Sequence, residues 1–433
     1  MKRIAKRVGL LLGVGVAVLI VLNVIVAVLT PSPEIRSNGS TPTVHTEPSG
    51  VTGPTGSDAA SAARSRRYFA DTATWNRPVS EFGRSATYER YAGVFYDFAG
   101  GGEASRRGEF KTQFRDYSVP IYDADDATGT ASVYQANWAA EQLDMGNVER
   151  GDTVPWNPDW KAGTGNDRAF IVVNHDSGEA WEFWRADEPG LNCFDGIGPN
   201  VRAGYRPGGD DQLCVATVRY VDNLYSASDA DGTTIASRGM GVNKVAMVTR
   251  ADEVLSGSIR HALELTVTNT MFGEPTCSPA DDGSARGAGT RCGFYLPPAT
   301  RLEWAEGAED RCGAKRTVEI SDENRARMVP PGLRIAIDIS DAEIERWLDQ
   351  RGYSGALRST AKTFAVAFRD YGAVVAETGC AGVGIQTDGL VNPASADAWK
   401  RAGIVDGDSD NPMSDLLDGL VTRDRLYVVE PPG

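Results

Sequence analysis

Residues 8–29 constrain this chain more than any other stretch. They run without a single charge, and Asn23 is the only polar side chain among them. At 1.5 Å rise per residue the run makes about 33 Å of helix, enough for a hydrocarbon core of roughly 30 Å. Lys2, Arg3, Lys6 and Arg7 precede it, and Thr30, Pro31, Ser32, Pro33 and Glu34 follow. That asymmetry predicts a transmembrane signal anchor, with residues 1–7 as a cytoplasmic basic tail and the bulk of the chain outside the cell membrane. A cleaved signal peptide is the competing reading. Its apolar region is usually shorter, and Ala27-Val28-Leu29 does not end as a small-x-small cleavage site.

Residues 30–67 read as a disordered linker. Pro, Ser, Thr and Gly dominate it, and so little apolar surface cannot offset the entropy of ordering the chain. His45 lies here and suggests no function. Residues 68–433 are then expected to be extracytoplasmic, a length that suits one large domain or two small ones. The chain carries 44 basic and 59 acidic side chains; without the four basic residues ahead of the apolar run the balance is 40 against 59, near −19. An acidic surface of this kind argues against nucleic acid or anionic lipid as a partner.

All six cysteines, Cys193, Cys214, Cys277, Cys292, Cys312 and Cys380, fall in the domain expected outside the membrane. An even count in an oxidising compartment predicts disulfides, with 15 pairings open. Sequence neighbours suggest Cys193–Cys214 and Cys277–Cys292, which leaves Cys312–Cys380. Zinc is disfavoured, because the sequence has no CxxC and no histidine close to a cysteine.

The domain reads as mostly β. FIVVNHDSGEAWEFWRA (170–186) has the form of a hairpin turning at Asp176-Ser177-Gly178. DQLCVATVRYV, NKVAMVTR, IRHALELTVTN, GLRIAIDIS, AVVAET and RLYVVE supply further strands rich in Val and Ile. Two helices stand out. Ser340 and Glu343 are spaced as a capping box ahead of residues 341–350, and residues 356–371 place Leu357, Ala361, Phe364 and Phe368 on one face before Gly372. Many strands and few helices predict a β-sandwich of jelly-roll type, with helices toward the C-terminal end and one transmembrane helix before it.

His261 is one of three histidines in the chain. On a strand it shares a face with Ile259, Leu263, Leu265 and Val267, while Arg260, Ala262, Glu264 and Thr266 share the other. Two readings follow. It is a core histidine bonded to backbone or a neighbour, or it lines a ligand cleft as a catalytic acid or base.

Several blocks occur in a familiar order: WNRPVS (75–80), SVPIY (118–122), the 170–186 hairpin, the stretch ending GSIRHALEL (257–265), GFYLPPAT, PPGLRIAIDIS and AKTFAVAFRDYGAVVAETG. Together they resemble a family of secreted bacterial proteins with a Gly-x-Ile-x-His-Ala-Leu signature, several of which carry carbohydrate-binding modules. The resemblance covers about Trp75 to Glu430. It implies an envelope or extracellular setting and polysaccharide as a partner, and it carries no established activity. Such proteins often show Asp-Gly-His where this chain has Asn166-Asp167-Arg168, so a second histidine that might partner His261 is absent.

Glycan cleavage needs positioned acids and bases, and the resemblance favours Asp167 as the carboxylate to act with His261, because it lies where the similar proteins keep an acid. Glu182, Asp229, Asp231 and Glu264 are other acids available. Arg238 is a candidate to neutralise a substrate carboxylate or to brace a loop, and Trp184 to stack on a sugar ring. No cofactor is expected. Calcium is the alternative at DGDSDN (406–411) or SDADGT (228–233), although Asn411 and Leu417 depart from the EF-hand pattern and turn chemistry explains both stretches. Two functions follow: a membrane-anchored polysaccharide hydrolase or lyase, and a non-catalytic envelope module that binds glycan or a protein. Oligomeric state is not legible.

Overall fold

The computed structural model describes residues 66–101, 104–135, 148, 152–186, 193, 211–226, 238–271, 293–302, 326–379 and 382–432. The expected basic tail, the apolar run 8–29 and the linker up to residue 65 lie outside them. No helix among the described residues is long and apolar enough to cross a membrane.

Three sheets make up the β structure among the described residues. The largest runs in the order β1 (Phe110–Gln113), β12 (Val383–Gln386), β9 (Leu263–Val267), β11 (Ala373–Thr378), β10 (Arg334–Ile337) and β13 (Leu426–Val428). The second is β2 (Ile121–Asp123), β5 (Phe170–Val173), β6 (Ala180–Trp184) and β8 (Thr217–Val221). The third is β4 (Thr153–Trp156), β3 (Gly129–Gln135) and β7 (Gln212–Val215). Five helices among the described residues join them: α1 (Arg90–Phe98), α2 (Ala251–Leu255), α3 (Asp341–Gln350), α4 (Gly355–Asp370) and α5 (Pro393–Arg401).

These elements stack in layers. Leu263, Leu265, Ile335, Ile337 and Val375 turn one face of the six-stranded sheet toward Phe95, Trp347, Phe364, Phe368 and Trp399 of the helices. Its other face, through Ala262, Val374 and Ala376, joins Ile171 and Val173 of β5. The alternate residues of β5, Phe170 and Val172, enter a third core with Val133, Val154 and Leu213. Burial on both sides is why FIVV is a continuous apolar run and not an alternating one.

The architecture corrects the expected jelly-roll sandwich. β1–β12, β9–β11, β2–β5 and β3–β7 are parallel pairs within mixed sheets, and helices cover one face of the largest sheet. A jelly roll pairs its strands antiparallel. Counting strands in sequence cannot reveal this, since parallel pairing depends on which distant segments meet. Local readings fared better. The 170–186 hairpin forms with antiparallel β5–β6 pairing. The helix after Ser340 opens on the capping box, with Ser340 Oγ accepting from the Glu343 amide at 3.3 Å. NKVAMVTR is not a strand; it holds a 3-10 turn at Lys244–Ala246 and is buried throughout its described length. DQLCVATVRYV breaks at Ala216 into β7 and β8, which belong to different sheets.

Cys193 and Cys214 are joined in a disulfide, as their sequence proximity suggests. Cys277, Cys292, Cys312 and Cys380 lie outside the described residues.

Candidate active site

A cleft of about 600 Å³ opens between the six-stranded sheet and the loop that leads into β5. One cross-strand row forms its floor: Lys111 pairs with Gly384, Gly384 with Thr266, and Thr266 with Glu377. Glu377 reaches this row through a register shift. Val375 pairs with Leu265 and Glu377 with Thr266, so Ala376 is an extra residue on β11. Without it, Ala376 would stand opposite Thr266 and Glu377 would turn toward the helix-covered face. Bulges commonly re-aim a side chain beside an active site. Gly384 keeps the floor open, because a Cβ there would meet Thr266 Oγ1 at 2.6 Å and Gln113 Nε2 at 2.7 Å.

Asp167 enters from the opposite wall, on the loop before β5. Trp184 Nε1, at the end of β6, donates to its Oδ1 at 3.3 Å, and the Arg185 amide donates to its carbonyl at 2.8 Å. Burial and the charge of Glu377 push the Asp167 carboxyl above its usual range, against the opposing pull of Lys244 and Arg238. Asp167 and Glu377 therefore sense each other across one cleft.

Beneath the cleft lies a buried ionic cluster. Arg238 is fully enclosed, ion-paired with Glu264 at 2.5 Å and with Glu377, and hydrogen-bonded to Gln386 Oε1. Burial raises the Glu264 carboxyl to about 7 despite that guanidinium. Burial, then Arg238, lowers the Lys244 ammonium. Three carboxylates, Asp167, Glu264 and Glu377, thus couple to two cations, and burial favours the protonated form of Asp167 and of Glu264. Such a site supplies a protonated acid beside a charge-balanced carboxylate, the division of labour that splits two carboxyls into proton donor and charged partner.

Backbone strain gathers at the same mouth. Tyr117 (φ 59°) and Arg185 (φ 52°) line the cleft, and Arg168 (φ 38°) follows Asp167. Non-glycine residues held in the left-handed region cost about 1–3 kcal/mol each and concentrate at functional sites.

The sequence-derived candidates separate. Asp167 and Trp184 line the cleft, and Arg238 braces it from below by holding Glu377. His261 does not join them. It precedes β9 and does not lie on it, is 4% exposed, and packs in a different cluster. Its Nδ1 lies 2.8 Å from the Ala262 carbonyl, and its Nε2 3.2 Å from Glu253, which also pairs with Arg250. Arg250 in turn covers the Tyr68 ring at 3.9 Å. Of the two readings of His261, this is the position of a core histidine.

Calcium was the alternative expectation at two stretches. Residues 228–233 lie outside the described residues. In 406–411, Asp406 pairs with Arg115, and Asn411 accepts from the Phe114 amide at 2.8 Å and donates to the Thr112 carbonyl at 3.0 Å. Among the described residues no group of three His, Cys, Asp or Glu side chains is placed to hold a metal ion.

Sequence reasoning passed over Glu377, Gln113, Tyr117 and Gln386. One signal was available for Glu377: an acid that closes the apolar strand AVVAET has no reason to sit there unless it faces a polar partner. Compared with models of protein families, with curated proteins and with solved structures, the chain matches none.

Proposed function

We propose that this chain is an exported envelope enzyme that cleaves glycosidic bonds in a polysaccharide. Asp167 is the proton donor and Glu377 the charged partner carboxylate. The observation that carries this reading is the convergence of the two carboxyls on one cleft, with only Glu377 ion-paired to the buried Arg238. Hydrolysis needs one carboxylic acid to protonate the leaving oxygen. It needs a second carboxylate to attack the anomeric carbon or to activate water. Trp184 offers an apolar wall for a sugar ring, and Gln113 and Gln386 offer partners for hydroxyls. The Cys193–Cys214 disulfide, the apolar run 8–29 and the Gly-x-Ile-x-His-Ala-Leu resemblance support the location and the sugar context.

The sealed position of His261 favours a second reading, a non-catalytic module that binds glycan. One experiment separates the two. The purified full-length chain is incubated with a panel of polysaccharides, and new reducing ends and binding are both measured. Asp167→Asn and Glu377→Gln should each lower cleavage by about 10²–10⁴ while binding persists, the usual loss for a positioned acid or base. Binding without reducing ends from any substrate would replace the enzyme reading with the module.

A further inference from the structure

Tyr117 lines the cleft half-buried, on a backbone in the left-handed region at φ 59°. We propose that its ring is the stacking platform for the sugar unit held beside Asp167. The inference rests on the reading of the cleft as a polysaccharide site, and it names the residue that grips the polysaccharide.

Backbone chemistry at this position favours glycine over tyrosine, because glycine takes the left-handed region without a steric penalty. A tyrosine persists there only where its surroundings hold it. Here they do. The Asp116 amide donates to the Asp410 carbonyl at 3.2 Å, the Tyr117 amide to the Thr164 carbonyl at 3.1 Å and the Ser118 amide to the Arg115 carbonyl at 3.2 Å. Thr164 Oγ1 also donates to Asp116 Oδ1 at 2.5 Å. The ring has its own seat on the loop that carries Asp167. A Cβ on Gly165 would meet Tyr117 Cε1 at 2.9 Å and Cζ at 3.0 Å, so the ring lies on bare backbone. The Asn166 backbone bonds the phenol oxygen, which is close enough to Asp167 and Asp116 to feel both charges. Burial and then those charges raise the phenol above its usual range, so it stays protonated and adds no negative charge beside the acid.

The surroundings suit a sugar ring. Tyr117 and Trp184 are the aromatic side chains among the described residues of the lining. Trp184 is 8% exposed, and its Nε1 is taken by Asp167 at 3.3 Å, so its main part is to hold the acid. Tyr117 is the more open of the two. The same cleft is lined by the amides of Gln113 and Asn166 and the hydroxyl of Ser414. A pyranose presents an apolar C–H face to an aromatic ring and hydroxyls at its rim to amides and hydroxyls of this kind. A ring fixed before the sugar arrives loses little further freedom on binding, so the contact appears as affinity.

The test is affinity electrophoresis of the purified full-length chain through gels that contain xylan, carboxymethylcellulose, arabinogalactan or hyaluronan. For any of these that is cleaved, kcat and KM are measured from new reducing ends. Tyr117→Gly should weaken Kd by at least about tenfold and raise KM to match, with kcat changed less than about threefold. Its melting temperature should not fall, because glycine relieves the left-handed backbone. Tyr117→Phe keeps the ring and should stay within about threefold of the unaltered protein in Kd and KM. Unaltered affinity of the glycine variant would overturn the platform and leave the hydrolase reading standing. A phenylalanine variant as weak as the glycine one would also overturn it, by giving the role to the hydroxyl. So would a glycine variant whose melting temperature drops along with its affinity, which would make the ring a structural support. Retardation by none of these polysaccharides would overturn the platform and the hydrolase reading together. Retardation that depends on Tyr117, without cleavage of any of them, would sustain the platform and remove the hydrolase reading.

Discussion

Buried charge is the dominant theme among single residues. Arg238 and Arg250 each anchor a carboxylate cluster, and the two clusters have different environments. Around Arg250, Glu253 is held down to about 2 because the guanidinium and the His261 ring outweigh its burial. Around Arg238, Glu264 is pushed up to about 7 because burial outweighs a guanidinium shared among several acids. The first arrangement is a satisfied structural pair, and the second stores a proton next to a cleft. His261 belongs to the first. His261→Gln should lower stability by about 1–3 kcal/mol, since glutamine cannot reproduce both of its buried contacts. Polysaccharide cleavage by the folded fraction should be unchanged. Chemical denaturation and activity measured on one preparation check this, and an active-site loss at intact stability would return the histidine to the catalytic set.

Among elements, the extra residue on β11 places Glu377 in the cleft, and the cap of α5 ties a helix to the second sheet. Asn392 precedes α5, its side chain accepting from the Ala394 amide at 3.0 Å and donating to the Ile121 carbonyl at 2.5 Å. One side chain thus caps the start of a helix and ties it to β2 of the second sheet. Asn392→Ala should cost about 1–2 kcal/mol, the upper part of the range for a lost cap, because a buried carbonyl loses its donor as well. Thermal unfolding of the variant measures it; no change would mean that water replaces both bonds. The helix cap at Ser340 was legible because Ser and Glu three residues apart satisfy each other within one turn. The shift on β11 was not, because nothing in AVVAET distinguishes a regular strand from one that gains a residue.

For the whole molecule, the titrating groups set a pH window. Burial raises Asp388 from 3.8 and Glu264 from 4.5, each to about 7. Their folded forms hold protons that the unfolded chain releases, so their contribution is full below the unfolded values and is lost as pH rises through about 7. Glu253 acts in the opposite sense. Its lowered carboxyl stabilises the fold above 4.5 and ceases to do so as pH falls toward 2. Stability should therefore peak on the acid side of neutrality, and Asp388→Asn should flatten the decline between about pH 4 and 7. Melting temperatures across that range decide it, and a profile that rises steadily to pH 8 in both proteins would contradict the assignment. The Cys193–Cys214 bridge also acts at this scale. It spans a sequence separation of 21, and replacing both cysteines with alanine should cost about 3 kcal/mol in denaturant unfolding under the loop-entropy account.

Short-range chemistry was readable from residue order alone. The disulfide of Cys193 with Cys214, the 170–186 hairpin and the two amphipathic helices each close within a few turns of chain, so local spacing and periodicity specify them. Asp167, favoured through the family resemblance, and Trp184, named as an aromatic that could stack on a sugar, both line the cleft. The tertiary structure decided the rest. Periodicity separated the two faces of residues 259–267 and turned the leucine face inward, but it did not say what the Glu264–Thr266 face meets. Both faces are buried, because helices cover one and the β5 layer the other, and the polar face carries the site. Glu377 meets Asp167 only when strands from opposite ends of the domain enter mixed sheets. That pairing is a property of long-range contact, which no local pattern of residues encodes.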